Sequence, residues 1–185
     1  MFVIFGLVLR VMWIGLAGGI ANTIPPMVSR IFPYFSQPVD LHKKIGGKRI
    51  FGDHKTFRGF IFGVLSSHLV FTWQYYFVQA NPESYLSSIA PEFVGFPIYF
   101  GALMGFASLG GDALKSFVKR RFDIAPGRPW PPFDQIDWVL GILVALAFFI
   151  DLSLIFVFLA LLIGIFLHIV TKIIGYFLKI NESYI

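Results

Sequence analysis

The chain contains no cysteine, which excludes a disulfide framework, a thiolate metal site and a thiol nucleophile. Histidine is nearly as scarce, four in 185 residues, with no pair at zinc-ligand spacing. Charge is thin as well: 14% of residues are charged, where a soluble domain carries about a quarter. No internal repeat, low-complexity tract or stretch long enough for a separate soluble domain interrupts the sequence. The first segment lacks a basic n-region, and its apolar run outlasts a signal-peptide core, so it is expected to remain as a membrane helix. What is abundant is apolar side chain, 57% of residues, with a mean hydropathy of +0.76. An all-α integral membrane protein is expected, with residues 1–185 as one transmembrane catalytic domain. The net charge of +5 calls for no nucleic acid polymer as partner, because membrane proteins carry basic loops for orientation.

A spanning helix needs about 20 mostly apolar residues. Five segments qualify: roughly 2–24, 57–79, 96–118, 136–152 and 153–177. Pro25 and Pro26 are expected to end the first, and a tight turn near Asp151 to join the last two. Of the 15 Lys and Arg residues, 14 fall in segments 27–58 and 111–137 and in the tail, at Lys172 and Lys179. Segment 80–97 and the turn near Asp151 carry acidic residues and no basic one. Lys and Arg stay in the cytoplasm, which places the N-terminus outside and both long polar loops and the C-terminus inside. The sequon at Asn181 is then cytoplasmic and unused. The remaining cation, Arg10, lies near the outer end of the first span and is expected to snorkel to the interface.

Two polar stretches share the cytoplasmic face. In "GGKRIFGDHKTFRGF", Gly46 to Phe60, the cations Lys48, Arg49, Lys55 and Arg58 recur among glycines, and Thr56 adds a hydroxyl. Backbone amides near a helix start, with Lys and Arg beside them, suit phosphate oxygens. Lys43 and Lys44, just upstream, are second-rank contacts. The plainer alternative is a basic loop resting on anionic headgroups. The second stretch is "GGDALKSFVKRRFDIAPGRPWPPFDQID", Gly110 to Asp137. Asp112 lies inside the third span, about 10 Å below Lys119 along a helix, and a carboxylate at that depth usually marks a functional site. Lys115, Ser116 and Lys119 share its helix face. A neutralising Asp112–Lys115 pair is the plain explanation; the Gly110–Gly111 pair suggests instead a backbone opening.

Asp134 reads as the N-cap of the fourth span, with Asp137 at its third position. A spacing of three also turns both carboxylates to one side of the helix. Asp112, Asp134 and Asp137 beside phosphate-binding cations are what Mg²⁺ takes, since it prefers oxygen ligands shared with substrate phosphates. The combination suits nucleotidyl transfer from CTP to a lipid phosphate. The attacking oxygen is already anionic, so no general base is required, in keeping with the scarcity of histidine. Metal and cations offset the repulsion between two anions and stabilise the leaving pyrophosphate.

These two stretches, together with "ANTIPP" at the end of the first span, resemble the archaeal CDP-archaeol synthases over nearly the whole chain. Those are cytidylyltransferases of membrane lipid synthesis, related to bacterial CDP-diacylglycerol synthases. The resemblance implies a Mg²⁺-dependent reaction of CTP with an isoprenoid ether-lipid phosphate, 2,3-bis-O-(geranylgeranyl)-sn-glycerol 1-phosphate. The products are the CDP-lipid and pyrophosphate, formed in the cell membrane at a site facing the cytoplasm. By position, the family's K-T-x-R-G element is Lys55, Thr56, Arg58 and Gly59. Its G-D-x-x-K-S-F-x-K-R element is Gly111, Asp112, Lys115, Ser116, Phe117, Lys119 and Arg120, and its D-Q-x-D element is Asp134, Gln135 and Asp137. The implied catalytic set is Asp112, Asp134 and Asp137, the three metal ligands, with Lys119. Lys55, Thr56, Arg58, Lys115, Ser116, Arg120 and Gln135 are implied on the substrates, and Lys43, Lys44, Lys48 and Arg49 less directly. The bacterial D-R-x-D run has Gln135 in place of its arginine here, which favours the archaeal branch.

The lipid tails are expected in a groove between spans, shaped by small residues such as Gly105 and Ala107. Two other classes compete. A transporter with Asp112 as an ion site calls for polar residues on the outer half too. A scaffold whose basic loops bind anionic lipid needs no converging carboxylates.

Overall fold

The computed structural model describes residues 2–177; Lys179 and the Asn181 sequon lie outside the described residues. The helices are α1 Phe2–Ile31, α2 Phe57–Ala80, α3 Tyr85–Ile89, α4 Phe100–Arg121, α5 Phe133–Leu146 and α6 Leu154–Phe177. A 3₁₀ turn, Pro91–Val94, follows α3, and a small antiparallel hairpin pairs β1 Lys44–Ile45 with β2 Lys48–Arg49. The hairpin is a minor departure from the all-α expectation. Gly46 and Gly47 form its turn at φ +58° and +77°, the left-handed pair that a two-residue hairpin loop requires and that glycine adopts without strain.

Polarity is arranged inside out relative to a soluble protein. Leu69, Phe106, Val144, Phe158 and Phe166 are each at least 60% exposed, whereas Ser67, Gln74 and Ser108 are fully buried. Each buried polar group donates to a main-chain carbonyl on another element: Ser67 to Gly101 (2.7 Å), Gln74 to Trp13 (2.7 Å) and Ser108 to Gly18 (2.8 Å). An apolar exterior around hydrogen-bonded interior contacts is the arrangement that lipid solvent selects. Two helices, α1 (from Val3) and α6, are long and apolar enough to cross a membrane, with mean hydropathies of 2.1 and 2.8.

α1 packs against α2, α4, α5 and α6, and α4 against α2 and α5. Contrary to expectation, α1 runs through Pro25 and Pro26 to Ile31. The prolines remove the helical donors to the Ala21 and Asn22 carbonyls, and the segment packs against α2 across that gap. Pro25 sits over Gly59, and the Ala21 carbonyl lies 2.8 Å from where a Cβ on Gly63 would stand. Neighbouring helices commonly accommodate proline in this way. Small residues elsewhere serve helix contact. A Cβ on Gly105 would approach Val64 Cα of α2 to 3.0 Å, and the Ala107 carbonyl abuts Gly141 of α5. At both positions the chain is in close contact with a neighbouring helix.

The end of the bundle away from the basic loops is capped by α3 and the 3₁₀ turn. Arg10 does not simply snorkel: its Nε and Nη2 donate to Glu92 Oε1 at 3.1 and 2.9 Å, because the 80–97 loop folds back over α1. Beneath that pair this half of the bundle is filled by Trp13, Phe71, Phe93, Phe96 and Phe100, with Phe96 and Phe100 stacked at 4.3 Å. The connection between α5 and α6 spans residues 147–153, longer than a turn at Asp151 alone.

Candidate active site

The site forms where α4 crosses the start of α5. A Cβ on Gly111 would collide with the Asp137 carbonyl, and one on Gly141 with the Ala107 carbonyl. The two glycines thus permit backbone-to-backbone contact, which brings Asp112 of α4 beside Asp137 of α5. The Gly110–Gly111 pair opens no backbone; α4 is continuous through it. Asp112, Lys115 and Lys119 then face the first turn of α5.

Lys115 is the hub. Its Nζ lies 3.0 Å from Asp112 Oδ1, 3.0 Å from Asp134 Oδ1 and 2.6 Å from Asp137 Oδ2. The Asp137 contact is an ion pair without hydrogen-bond alignment, since that oxygen has no hydrogen-bond partner among the described residues. Its other oxygen accepts the Trp138 N–H at 2.7 Å. Lys55 pairs with the second oxygen of Asp112. Lys119 reaches both oxygens of Asp134 (3.1 and 3.2 Å) and also donates to the Arg128 carbonyl. Lys55, Lys115 and Lys119 thus face Asp112, Asp134 and Asp137 in one half-buried network, and the plain Asp112–Lys115 pair is one edge of it.

The capping expectation fails for Asp134. α5 begins at Phe133 with Pro132 as its cap residue and no side-chain cap bond. Asp134 instead accepts the N–H of Trp130, because the Pro-rich segment turns back over the helix start. A cap of the expected kind does occur at Thr56, whose hydroxyl accepts the Gly59 N–H (3.2 Å) and starts α2 directly after Lys55.

Other expected residues are placed differently. Ser116 donates to the Asp112 carbonyl of its own helix at 2.9 Å. Arg58 is buried, and its Nη1 donates to the Phe32 and Tyr34 carbonyls at 2.7 and 3.3 Å, tying α2 to the end of α1. Lys48 pairs with Asp123 at 2.6 Å and Arg49 with Asp40 at 2.8 Å, so both knit loops together. Lys43 and Lys44 are exposed on the hairpin. Arg120 is buried with Nε and Nη1 unpartnered among the described residues, and Gln135 Oε1 is likewise unpartnered. A cavity of about 360 Å³ lies alongside, lined by Asn22, Lys55, Thr56, Arg58 and Asp112 among others.

Sequence reasoning missed Asp40 and Arg121. Asp40 is buried and accepts from Arg49 Nε and Nη2 and from the N–H groups of His42, Phe51 and Gly52. Burial alone would raise its carboxyl, but these donors outweigh that and hold it well below the usual carboxylate range. Arg121 donates to the carbonyls of Ile45, Lys48 and Arg49, fastening the hairpin to α4. Two acids, Asp40 and Asp53, in an otherwise basic loop were the available signal for Asp40; Arg121 had none beyond its place in a basic run.

For Mg²⁺ the donor set fits in kind, three carboxylates turned to one point. The Lys115 ammonium stands at that point, and among the described residues no three acids or histidines are grouped closely enough to hold an ion as they stand.

A family profile described as "CarS-like: CDP-archaeol synthase" matches residues 4–185. The CDP-archaeol synthase of Methanocaldococcus jannaschii is 38% identical over 152 residues, 78% of this chain and 81% of that protein. That of Methanopyrus kandleri is 32% identical over 92% of this chain and 94% of its own length. A solved structure described as "an intramembrane enzyme for archaeal membrane lipids biosynthesis" superposes with a TM-score of 0.67 at 26% identity, covering 88% of this chain and 92% of that one. A crossing that gathers three lysines on three aspartates inside an apolar helical shell is therefore carried by a chain that belongs to the CDP-archaeol synthase family.

Proposed function

We propose that the protein is a cytidylyltransferase that moves CMP from CTP to an archaeal ether-lipid phosphate, giving a CDP-lipid and pyrophosphate. The observation that carries this reading is the Lys55–Asp112–Lys115–Asp134–Asp137–Lys119 network, set where the apolar belt meets the basic loops. An anionic phosphate oxygen of the lipid attacks the α-phosphorus of CTP. The new P–O bond forms as the bond to the β-phosphate oxygen breaks, and pyrophosphate leaves with the electron pair. No proton has to be removed from the nucleophile. Lys55, Lys115 and Lys119 screen the repulsion between the two anions and stabilise the charge that moves to the leaving group.

Asp112, Asp134 and Asp137 would hold Mg²⁺, whose contribution is further neutralisation of the phosphates. Lys115 contacts the same carboxylates that would hold the ion, so its ammonium would have to give way for the ion to bind. Arg120, with two buried unpartnered nitrogens, is the strongest further candidate for a phosphate oxygen.

The proposed topology is one domain of five spans, α1, α2, α4, α5 and α6, with the N-terminus outside and the active site facing the cytoplasm. The basic loop at 32–56 and the basic C-terminal end of α4, with Lys119, Arg120 and Arg121, both lie at the active-site end, which supports the positive-inside reading. The aromatic packing of the outer half disfavours a transporter with a through-path.

The experiment is CDP-lipid and pyrophosphate formation by detergent-purified protein with CTP, Mg²⁺ and a long-chain glycerol-1-phosphate ether lipid, beside Asp112→Asn and Asp134→Asn. Product from the wild type, lost in both folded variants, is expected. No product from a folded wild type with any of the four nucleotides would end the proposal.

A further inference from the structure

Between α4 and α5 the chain carries an aromatic cluster that the fold leaves largely uncovered. Phe122 follows the last residue of α4, Phe133 is the first of α5, and Trp130 stands between them with ring centroids 6.2 and 4.4 Å away. Phe122 is 68% and Phe133 46% exposed, and Trp130 is half-buried. Arg128, exposed in the same segment, supplies a cation beside the rings.

The length of α5 indicates what covers the cluster. Its 14 residues make a helix of about 21 Å, against a hydrocarbon core of about 30 Å. About 9 Å of that crossing is left to non-helical residues at the two ends of α5. At one end these are apolar, with Phe148 fully outward. At the other they are the Pro-rich segment and its aromatic cluster. Non-helical backbone at that depth has to satisfy its polar groups within the protein, and this segment does so in two ways. Pro126, Pro129, Pro131 and Pro132 bring no N–H at all. The N–H groups of Phe122, Ile124 and Arg128 donate to the carbonyls of Val118, Lys119 and Ala125 at 3.2, 3.0 and 3.2 Å, and that of Trp130 donates to Asp134.

We propose that Phe122, Trp130 and Phe133 form an interfacial anchor, bedded where lipid headgroups meet acyl chains, and that its seating in the bilayer positions Lys119 and Asp134. The inference rests on the topology proposed above, with α4 and α5 as spans. Aromatic rings prefer that boundary, and Arg128 is long enough to keep its charge among headgroup phosphates while its stem lies on the rings. The link to the ion-pair network runs through the main chain. Lys119 donates to the Arg128 carbonyl, and the Asp134 N–H donates to the Trp130 carbonyl at 3.2 Å while the Asp134 carboxylate accepts the Trp130 N–H. A shift of the segment therefore carries both side chains with it. Phe122, Trp130 and Phe133 touch no reacting group on this reading; they are positioning residues.

The test exploits the absence of cysteine, which lets single nitroxide labels be attached at Phe122→Cys and Phe133→Cys in the full chain, reconstituted in phosphatidylcholine vesicles. Depth is read from the relative access of oxygen and of a water-soluble nickel chelate. Both labels should fall between Phe106→Cys, facing lipid, and Lys44→Cys, on the exposed hairpin. Labels as open to the nickel chelate as Lys44→Cys would overturn the anchor. So would labels that are shielded only after CTP is added, because the rings would then belong to the nucleotide. Coupling is read in Phe122→Asp, a substitution at an exposed position. It should raise the Phe133→Cys label towards water, speed amide exchange at Trp130 and Asp134 by about tenfold or more and lower kcat by about tenfold. Phe122→Trp should restore all three. Unchanged exchange in a Phe122→Asp chain whose label has left the membrane would remove the positioning role. If Phe122→Asp fails to fold, Phe122→Ser takes its place. Depth and exchange need neither CTP nor turnover. Bedded labels without CDP-lipid formation would therefore end the transferase reading alone, and turnover with water-exposed labels would end this one.

Discussion

Gly110 and Gly111 are adjacent in sequence and in the same helix, yet alanine should act in opposite directions at the two. At Gly110 a new Cβ meets nothing within 4 Å, so Gly110→Ala gains helix propensity of about 0.5–1 kcal/mol. At Gly111 the same gain applies, but the Cβ strikes the Asp137 carbonyl and lies 3.3 Å from Gly141 N. These are main-chain atoms that cannot rotate aside, and overpacking of that kind costs about 1–3 kcal/mol. The net expectation for Gly111→Ala is a loss of up to about 2.5 kcal/mol after the propensity gain is subtracted, towards the upper end because the clash is with main-chain atoms. Relief requires α4 and α5 to move apart, which pulls Asp112 from Asp137 and stretches the contacts to Lys115. A displacement of about 1 Å at reacting groups costs on the order of 10²-fold in rate. Thermal unfolding in detergent and kcat for CDP-lipid formation read the two effects. Gly110→Ala should match or exceed the wild-type Tm and keep its kcat, while Gly111→Ala should lose several degrees and most of its activity. Equal Tm shifts of the same sign, or full kcat in Gly111→Ala, would refute the claim that this crossing sets the site.

Asp40→Asn removes the charge that gathers Arg49 and three backbone amides. It should loosen the loop before Lys55 by about 2–3 kcal/mol, read as faster proteolysis at Lys43–Lys48 and a reduced kcat. Because the folded-state carboxyl is held low, its stabilisation is complete above the ordinary carboxyl value of about 3.9. That stabilisation fades as pH falls below that value towards the folded pKa; Asp40→Asn should flatten that acid limb, and an unchanged limb would count against the assignment. Glu92→Gln unpairs Arg10 at the end of the bundle away from the basic loops and should cost about 1 kcal/mol or less, with kcat unchanged; a lost kcat would put Arg10 in the mechanism. Chelation by EDTA should abolish CDP-lipid formation and Mg²⁺ should restore it, whereas full activity in EDTA would free Asp112, Asp134 and Asp137 from the proposed metal role.

Much of the helical layout was legible because long apolar runs bounded by loops admit few arrangements. Residues 57–79 fall within α2 and 153–177 nearly coincide with α6. The gathering of Lys55, Asp112, Lys115, Lys119, Asp134 and Asp137 at one end was also legible, since helix periodicity and the basic loops both pointed there. What failed was decided by tertiary contact. Pro25 and Pro26 read locally as a stop, and only α2 packed alongside lets the helix pass them. The glycines at 110 and 111 look alike in sequence; what separates them is the carbonyl of a residue 26 positions further on in another helix. Lys48, Arg49 and Lys55 are alike in type, and only the fold shows that their partners are Asp123, Asp40 and Asp112 respectively.

The proposed active-site network carries three ammonium groups and three carboxylates, so as an assembly of equal and opposite charges it presents almost no net field to the surrounding water. On that proposal, a polyanionic nucleotide is not drawn in by the groups assigned to act on it. Long-range attraction falls to the exposed cations of the hairpin, Lys43 and Lys44, and to the rest of the basic rim. Capture and chemistry thereby answer to different charges. Added salt, which screens exposed charge over about 10 Å at 0.1 M, should slow arrival at the site and leave the bound reaction nearly untouched. An enzyme built this way loses kcat/KM as ionic strength rises while kcat holds steady, and a cell rich in potassium would meet it as a slower collector of nucleotide with an undiminished turnover.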